Sequence, residues 1–150
     1  MASIPKTRRW GAGAAGAGGL WTLYLGLAHF PLAYELPRTT AFANVPESGA
    51  DLLILLSLAV GLLLLFIGGW SLWFAWRVLT GDRTARHFHL AVGLLYLGRT
   101  VVELLYPVSV PEPQPGVLLA VSLPALLFVA AAALTSARPQ RQRTATSETS

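Results

Sequence analysis

Polar and small residues recur at steps of three and four along one apolar stretch, FHLAVGLLYLGRTVVELLYPV. This spacing places them on a single face of a helix. A charged side chain near the centre of a bilayer costs about 2.5–3.5 kcal/mol on insertion scales. We therefore expect the charged members to face a partner or a cavity. The members are His89, Gly93, Tyr96, Arg99 or Thr100, Glu103 and Tyr106.

Arg99 and Glu103 are the two ionisable residues of this face with opposite charge. They are four positions apart, so their side chains can form an ion pair within one helix. One interpretation is a structural pair that fixes how the helices pack. The other is a binding or proton-handling site, because ionisable residues inside membranes commonly serve a function. The sequence favours neither.

His29 is the candidate functional residue of an earlier apolar stretch. It stands at the outer end of a row of small residues that permits close contact between helices. Pro31 follows and removes the helical hydrogen bond to the carbonyl of Leu27. His29 either bonds to a neighbouring helix or faces a cavity. The row contains Gly11, Ala15, Gly18, Thr22 and Gly26.

The last apolar stretch contributes Ser122 and Pro124. Pro124 frees the carbonyl of Ala120 and predicts a kink. We expect Ser122 to lie at a depth close to that of Arg99. His87 and His89, beside Arg86, are expected at the membrane interface. The predicted polar cluster in the outer half of the membrane comprises His29, Tyr96, Arg99, Glu103, Tyr106 and Ser122.

The elements that would position these residues are four apolar stretches. The chain is 54% hydrophobic and only 12% charged, against about 25% charged in soluble domains. A spanning helix needs about 20 apolar residues. We predict an all-α fold, a four-helix transmembrane bundle forming one domain over 1–136, with a disordered cytoplasmic tail at 137–150. The predicted spans are 10–34, 52–76, 88–108 and 117–135.

The basic residues predict the orientation. Nine of the eleven Lys and Arg residues precede the first stretch, join the second to the third, or follow the fourth. Cytoplasmic loops carry such an excess, so both termini are predicted to be cytoplasmic. A cleaved signal peptide at KTRRW is the alternative, but the apolar part continues to Phe30 without a clear cleavage site. We expect a multi-pass protein of the inner membrane.

Several classes of function are disfavoured. The chain has no Cys, which removes disulfides, thiolate metal sites and catalytic thiols. No paired His, HExxH, GxSxG or phosphate-binding glycine loop occurs, so we expect no metal and no cofactor. The basic residues form three short clusters rather than one patch, so we expect no nucleic-acid partner. Richness in Ala, Gly, Leu and Arg is typical of a GC-rich bacterial genome.

The segment YLGLAHF (24–30) is similar to the start of DoxX-like small membrane proteins, in which an LG…G…HF-like pattern often closes the first span. The resemblance implies a four-helix bacterial membrane protein and marks His29 as a matching position. The second helix of that family carries an acidic residue and a glycine pair. Here GLLLLFIGG keeps only Gly68 and Gly69, so the resemblance carries no activity over.

Three functions remain open. The first is a non-enzymatic accessory or small-ligand-binding subunit, favoured by the lack of catalytic motifs. The second is a membrane enzyme acting on a quinone, isoprenoid or lipid, with Glu103 and His29 handling protons and Arg99 binding the head. The third is a proton-coupled transporter working as an oligomer. Expected partners are the lipid bilayer, a lipophilic small molecule and a second copy of the chain through small-residue faces.

Overall fold

The described part of the chain folds into four helices. A computed structural model describes residues 4–35, 38–39, 43–105 and 115–136. Within these ranges there is no β-strand, which confirms the all-α prediction. The prediction for the tail 137–150 lies outside the described residues. The helices are α1 (Lys6–Glu35), α2 (Glu47–Leu79), α3 (Arg83–Leu105) and α4 (Pro115–Ser136).

Three of these helices, α2, α3 and α4, are long and apolar enough to cross a membrane. Their large apolar side chains mostly point outward; Leu62, Phe66 and Leu126 are each at least 60% exposed. α1 has 30 residues and is long enough, but it does not meet the same criterion of apolarity. The first half of α1 contains five glycines, which add no apolar side chain.

The helices pack in a definite order. α1 lies between α2 and α4, and α3 packs on α4. The contact between α1 and α2 is the most extensive, and the contact between α2 and α3 is the smallest of the four main helix contacts. α2 and α3 meet at the end where the rings of Phe74 and Phe88 stack, with centroids 4.7 Å apart.

Glycines bring α1 and α2 into backbone contact at two levels. A Cβ on Gly26 would lie 3.0 Å from the carbonyl oxygen of Gly61, and one on Gly68 would lie 3.0 Å from that of Gly19. The two glycines of each helix are seven positions apart, and the pairing runs antiparallel. Such small residues permit the close helix contact that the row of small residues in the first apolar stretch predicts. We call these four residues the glycine seam.

Phe128 of α4 forms the centre of the core and is completely buried. Its ring stacks on those of His89 and Tyr96, with centroids 5.7 and 6.2 Å away. Gly18 of α1 makes room for it, since a Cβ there would lie 3.0 Å from the ring. One aromatic side chain thus joins α1, α3 and α4.

His89 is completely buried among the helices, and its Nε2 lies 3.4 Å from the carbonyl oxygen of Ser71. Its interfacial depth stays a prediction. α3 begins at Arg83, six residues earlier, so His89 lies within the packed part of the helix. His87, two positions away on another face, is exposed.

The first two basic segments share one end of the molecule, which the last turn of α4 also reaches. The guanidinium of Arg8, before the first apolar stretch, lies against Gly81 in the turn between α2 and α3. That glycine has φ +76°, a conformation that disfavours any side chain. The last turn of α4 reaches the same end, because Thr135 lies beside Gly11.

Asp82 closes this end by capping α3. Its carboxylate accepts a hydrogen bond from the Thr84 N–H at 2.8 Å, as an N-cap does. It also pairs with Arg77 at 2.7 Å. The Thr84 N–H is the main cause that lowers the pKa of Asp82 below its ordinary value.

Candidate functional site

A cavity of about 520 Å³ lies among all four helices. It occupies the end opposite the basic segments, since α4 contributes its first half and α3 its second. Ligand sites of proteins commonly measure about 300–1,000 Å³. The polar lining residues among those described are His29, Tyr96 and Arg99. The rest of the lining is Leu25, Leu32, Val60, Leu63, Leu64, Leu95, Gly116, Val117, Ala120 and Val121.

The imidazole of His29 has one nitrogen engaged with its own helix. Nδ1 lies 2.7 Å from the carbonyl oxygen of Leu25. A carbonyl can only accept, so Nδ1 carries the proton in the neutral ring. Nε2 is then a hydrogen-bond acceptor. The backbone is held as well, because Ser57 of α2 donates to the His29 carbonyl at 3.2 Å.

Arg99 and Glu103 form the ion pair that their spacing permits. Nη1 of Arg99 lies 2.6 Å from Oε2 of Glu103. The carboxylate side chain is 6% exposed and the guanidinium side chain 45%. Arg99 lines the cavity, whereas Glu103 is not part of its lining. The guanidinium is therefore the member of the pair that a bound molecule would meet.

Tyr96 forms the inner boundary of the cavity. Its hydroxyl donates to Oγ1 of Thr22 at 3.1 Å, and that hydroxyl donates in turn to the Gly18 carbonyl at 2.8 Å. Tyr96 and Thr22 are both buried. The chain of hydrogen bonds fixes the ring and leaves the phenolic oxygen able only to accept.

The remaining predicted residues are placed differently. Ser122 is half-buried on α4, next to Val121, but it does not line the cavity. Tyr106 lies outside the described residues. The structure thus brings His29, Tyr96 and Arg99 to one cavity, and Glu103 joins them through its ion pair.

Trp21 is a site residue that the sequence does not indicate. Its indole Nε1 donates to the carbonyl of Ala120 at 3.0 Å. This is the carbonyl that Pro124 deprives of its helical partner. Trp21 therefore supplies the donor that the Ala120 carbonyl lacks within α4. Ala120 is one of the residues that line the cavity. The freed carbonyl can be read from the sequence, but its donor is 99 positions away.

Metal-ligand geometry and similarity to known proteins give no indication of what this site does. Within the described ranges, no group of three or more His, Asp or Glu residues is arranged to hold a metal ion. The chain matches no protein-family model, no curated protein and no solved structure. The function must therefore be argued from the cavity and its polar residues.

Proposed function

We propose that this chain is a multi-pass protein of the bacterial inner membrane, a four-helix bundle with both termini in the cytoplasm. The outward apolar side chains of α2, α3 and α4 support the membrane assignment. α1 completes the bundle because it packs along α2 and α4. The common end of the basic segments supports the orientation, since positive charge is retained on the cytoplasmic side. Membership in the DoxX-like group, which the resemblance of segment 24–30 implies, stays a prediction.

The function that the geometry supports best is the binding of a lipophilic small molecule by a non-enzymatic subunit. The observation that carries it is the cavity beside Arg99. A purely structural ion pair would need no adjoining cavity. This one is mostly apolar, with three polar side chains in position to orient a ligand, which is the usual composition of a ligand site.

The test is native mass spectrometry of the protein released from lipid nanodiscs made with the bacterial lipid extract. We expect a bound small molecule in the unmodified protein. Val60→Phe should strongly reduce the adduct, because Val60 lines the cavity and the larger ring would obstruct it.

Leu62→Phe is the matched control, since Leu62 belongs to the same helix but is 60% exposed. It should retain the adduct. Equal occupancy in both variants, or no adduct in the unmodified protein, would contradict a ligand site in this cavity.

A second candidate, a membrane enzyme acting on a lipophilic substrate, rests on the imidazole of His29. Its Nε2 is the acceptor nitrogen of the neutral ring and could take a proton from a bound molecule. Glu103 is less suited to that role than the sequence indicates, because it pairs with Arg99 and does not line the cavity. Chemical change of the captured molecule that requires His29 would favour this candidate.

A further inference from the structure

We propose that the ligand of this cavity is an uncharged amphiphile whose head carries both a carbonyl and a hydroxyl group, as in a monoacylglycerol. This inference rests on the proposed function. It names the class of molecule that the cavity would select from a membrane that also contains acidic lipids.

The charge of the site is the first argument. The only charged side chain of the described lining is Arg99, and Glu103 already compensates it at 2.6 Å. The ion pair itself carries no net charge. An anionic head would add one uncompensated charge in a largely apolar surrounding, where isolated charges are costly. A neutral head adds none.

The hydrogen-bonding capacity of the site is the second argument. A guanidinium offers five N–H donors, and the ion pair with Glu103 is made through Nη1. The half-exposed remainder of Arg99 offers donors that suit a carbonyl oxygen. Nε2 of His29 needs a donor instead, because Nδ1 already bonds to the Leu25 carbonyl. A hydroxyl supplies that donor, so a head with both groups satisfies both residues.

The size and lining of the cavity are the third argument. A volume of about 520 Å³ exceeds what a small polar metabolite fills, and it falls in the range of drug-sized ligands. The apolar lining comes from all four helices. An acyl or similar hydrocarbon chain suits this lining, with its head at Arg99 and His29.

The experiment uses the fluorescence of Trp21, which bonds to a residue of the lining. The other four tryptophans, Trp10, Trp70, Trp73 and Trp76, are replaced by Phe. The protein is placed in phosphatidylcholine nanodiscs with probes that share one dibrominated stearoyl chain, because bromine quenches the indole. The four probes are a monoacylglycerol, the free fatty acid, its methyl ester and the corresponding amine.

We expect saturable quenching by the monoacylglycerol with an apparent affinity at least about fivefold above that of the other probes, as one additional hydrogen bond provides. Arg99→Gln combined with Glu103→Gln should weaken the monoacylglycerol about fivefold while keeping the site uncharged. His29→Leu should bring the affinities of the monoacylglycerol and the methyl ester close together, because the hydroxyl-bearing glyceryl group distinguishes them and loses its acceptor on His29.

Two failures can be told apart. If the fatty acid binds most tightly and depends on Arg99, the inference of an uncharged ligand is wrong, whereas the ligand site stands. If no probe gives saturable quenching that Val60→Phe removes and Leu62→Phe preserves, the cavity binds none of these lipids. Both the inference of an uncharged ligand and the proposed ligand-binding function are then overturned.

Discussion

The ion pair of α3 is asymmetric at the level of single residues. Glu103 is buried and Arg99 is half exposed, so loss of either partner has different consequences. Removing Arg99 takes away the guanidinium that pairs with the buried carboxylate, and breaking a buried ion pair at one partner costs about 3–5 kcal/mol. Removing both charges leaves only apolar surface.

We therefore expect Arg99→Leu to lower the free energy of unfolding in detergent by about 3 kcal/mol. The double variant with Glu103→Leu should lose much less. Thermal unfolding monitored by circular dichroism measures both. Equal losses in the single and double variants would show that the two charges are not coupled.

His89 shows why the prediction of single residues was incomplete. The helical spacing of His89, Gly93, Tyr96 and Glu103 correctly predicts one face, and all four are buried. The sequence did not predict which side chains would enclose His89. Its contacts with Ser71 and Phe128 depend on packing between helices, which spacing within one helix does not specify.

Two of the contacts that hold the helices together can be tested separately. One is the hydrogen bond from Trp21 to the Ala120 carbonyl, which compensates for Pro124. Leaving a buried acceptor without a donor costs about 1–3 kcal/mol. An alanine at 124 would restore the helical N–H and supply a partner from within α4.

This gives a double-mutant cycle for thermal stability in detergent. Trp21→Phe alone should cost about 1–3 kcal/mol. In the background of Pro124→Ala the same change should cost clearly less. An unchanged cost would mean that Trp21 stabilises α4 by packing and not through this carbonyl.

The glycine seam between α1 and α2 is the second contact. A Cβ on Gly68 would lie 2.9 Å from the backbone nitrogen of Leu23, whereas one on the adjacent Gly69 meets no atom within 4 Å. The row of small residues in the sequence predicts a close contact. It does not predict which glycines pair, because that depends on the vertical offset of the helices.

Gly68→Ala should therefore lower the midpoint temperature of unfolding, because the backbones must separate. Gly69→Ala should leave it unchanged or raise it slightly, since alanine favours helix at an open position. Both are read by the same thermal measurement. Tolerance of alanine at both positions would contradict the backbone contact.

At the scale of the whole molecule, the first two basic segments and the cavity lie at opposite ends. Arg8, the turn at Gly81 and the end of α4 lie together, while the cavity is lined by the other halves of α3 and α4. The positive-inside rule relates the first end to the cytoplasm. In the proposed topology, the cavity therefore lies in the outer half of the membrane.

The lack of cysteine makes the orientation directly testable. Ser48→Cys, at the start of α2, should react with a membrane-impermeant maleimide added to cells whose outer membrane alone has been permeabilised. Thr80→Cys, at the end of α2, should react only after the inner membrane is also opened. The reverse pattern would invert the proposed topology.

The glycine seam has a mechanical consequence. At its two levels the backbones of α1 and α2 meet without intervening side chains, so a change of side-chain rotamer cannot separate them. We expect α1 and α2 to move as one rigid unit. The contact between α2 and α3 is the weakest in the ring of helices, and the cavity lies beside it. We therefore expect α2 and α3 to separate when a hydrocarbon chain enters the cavity. In the proposed bundle the resulting opening faces the lipid.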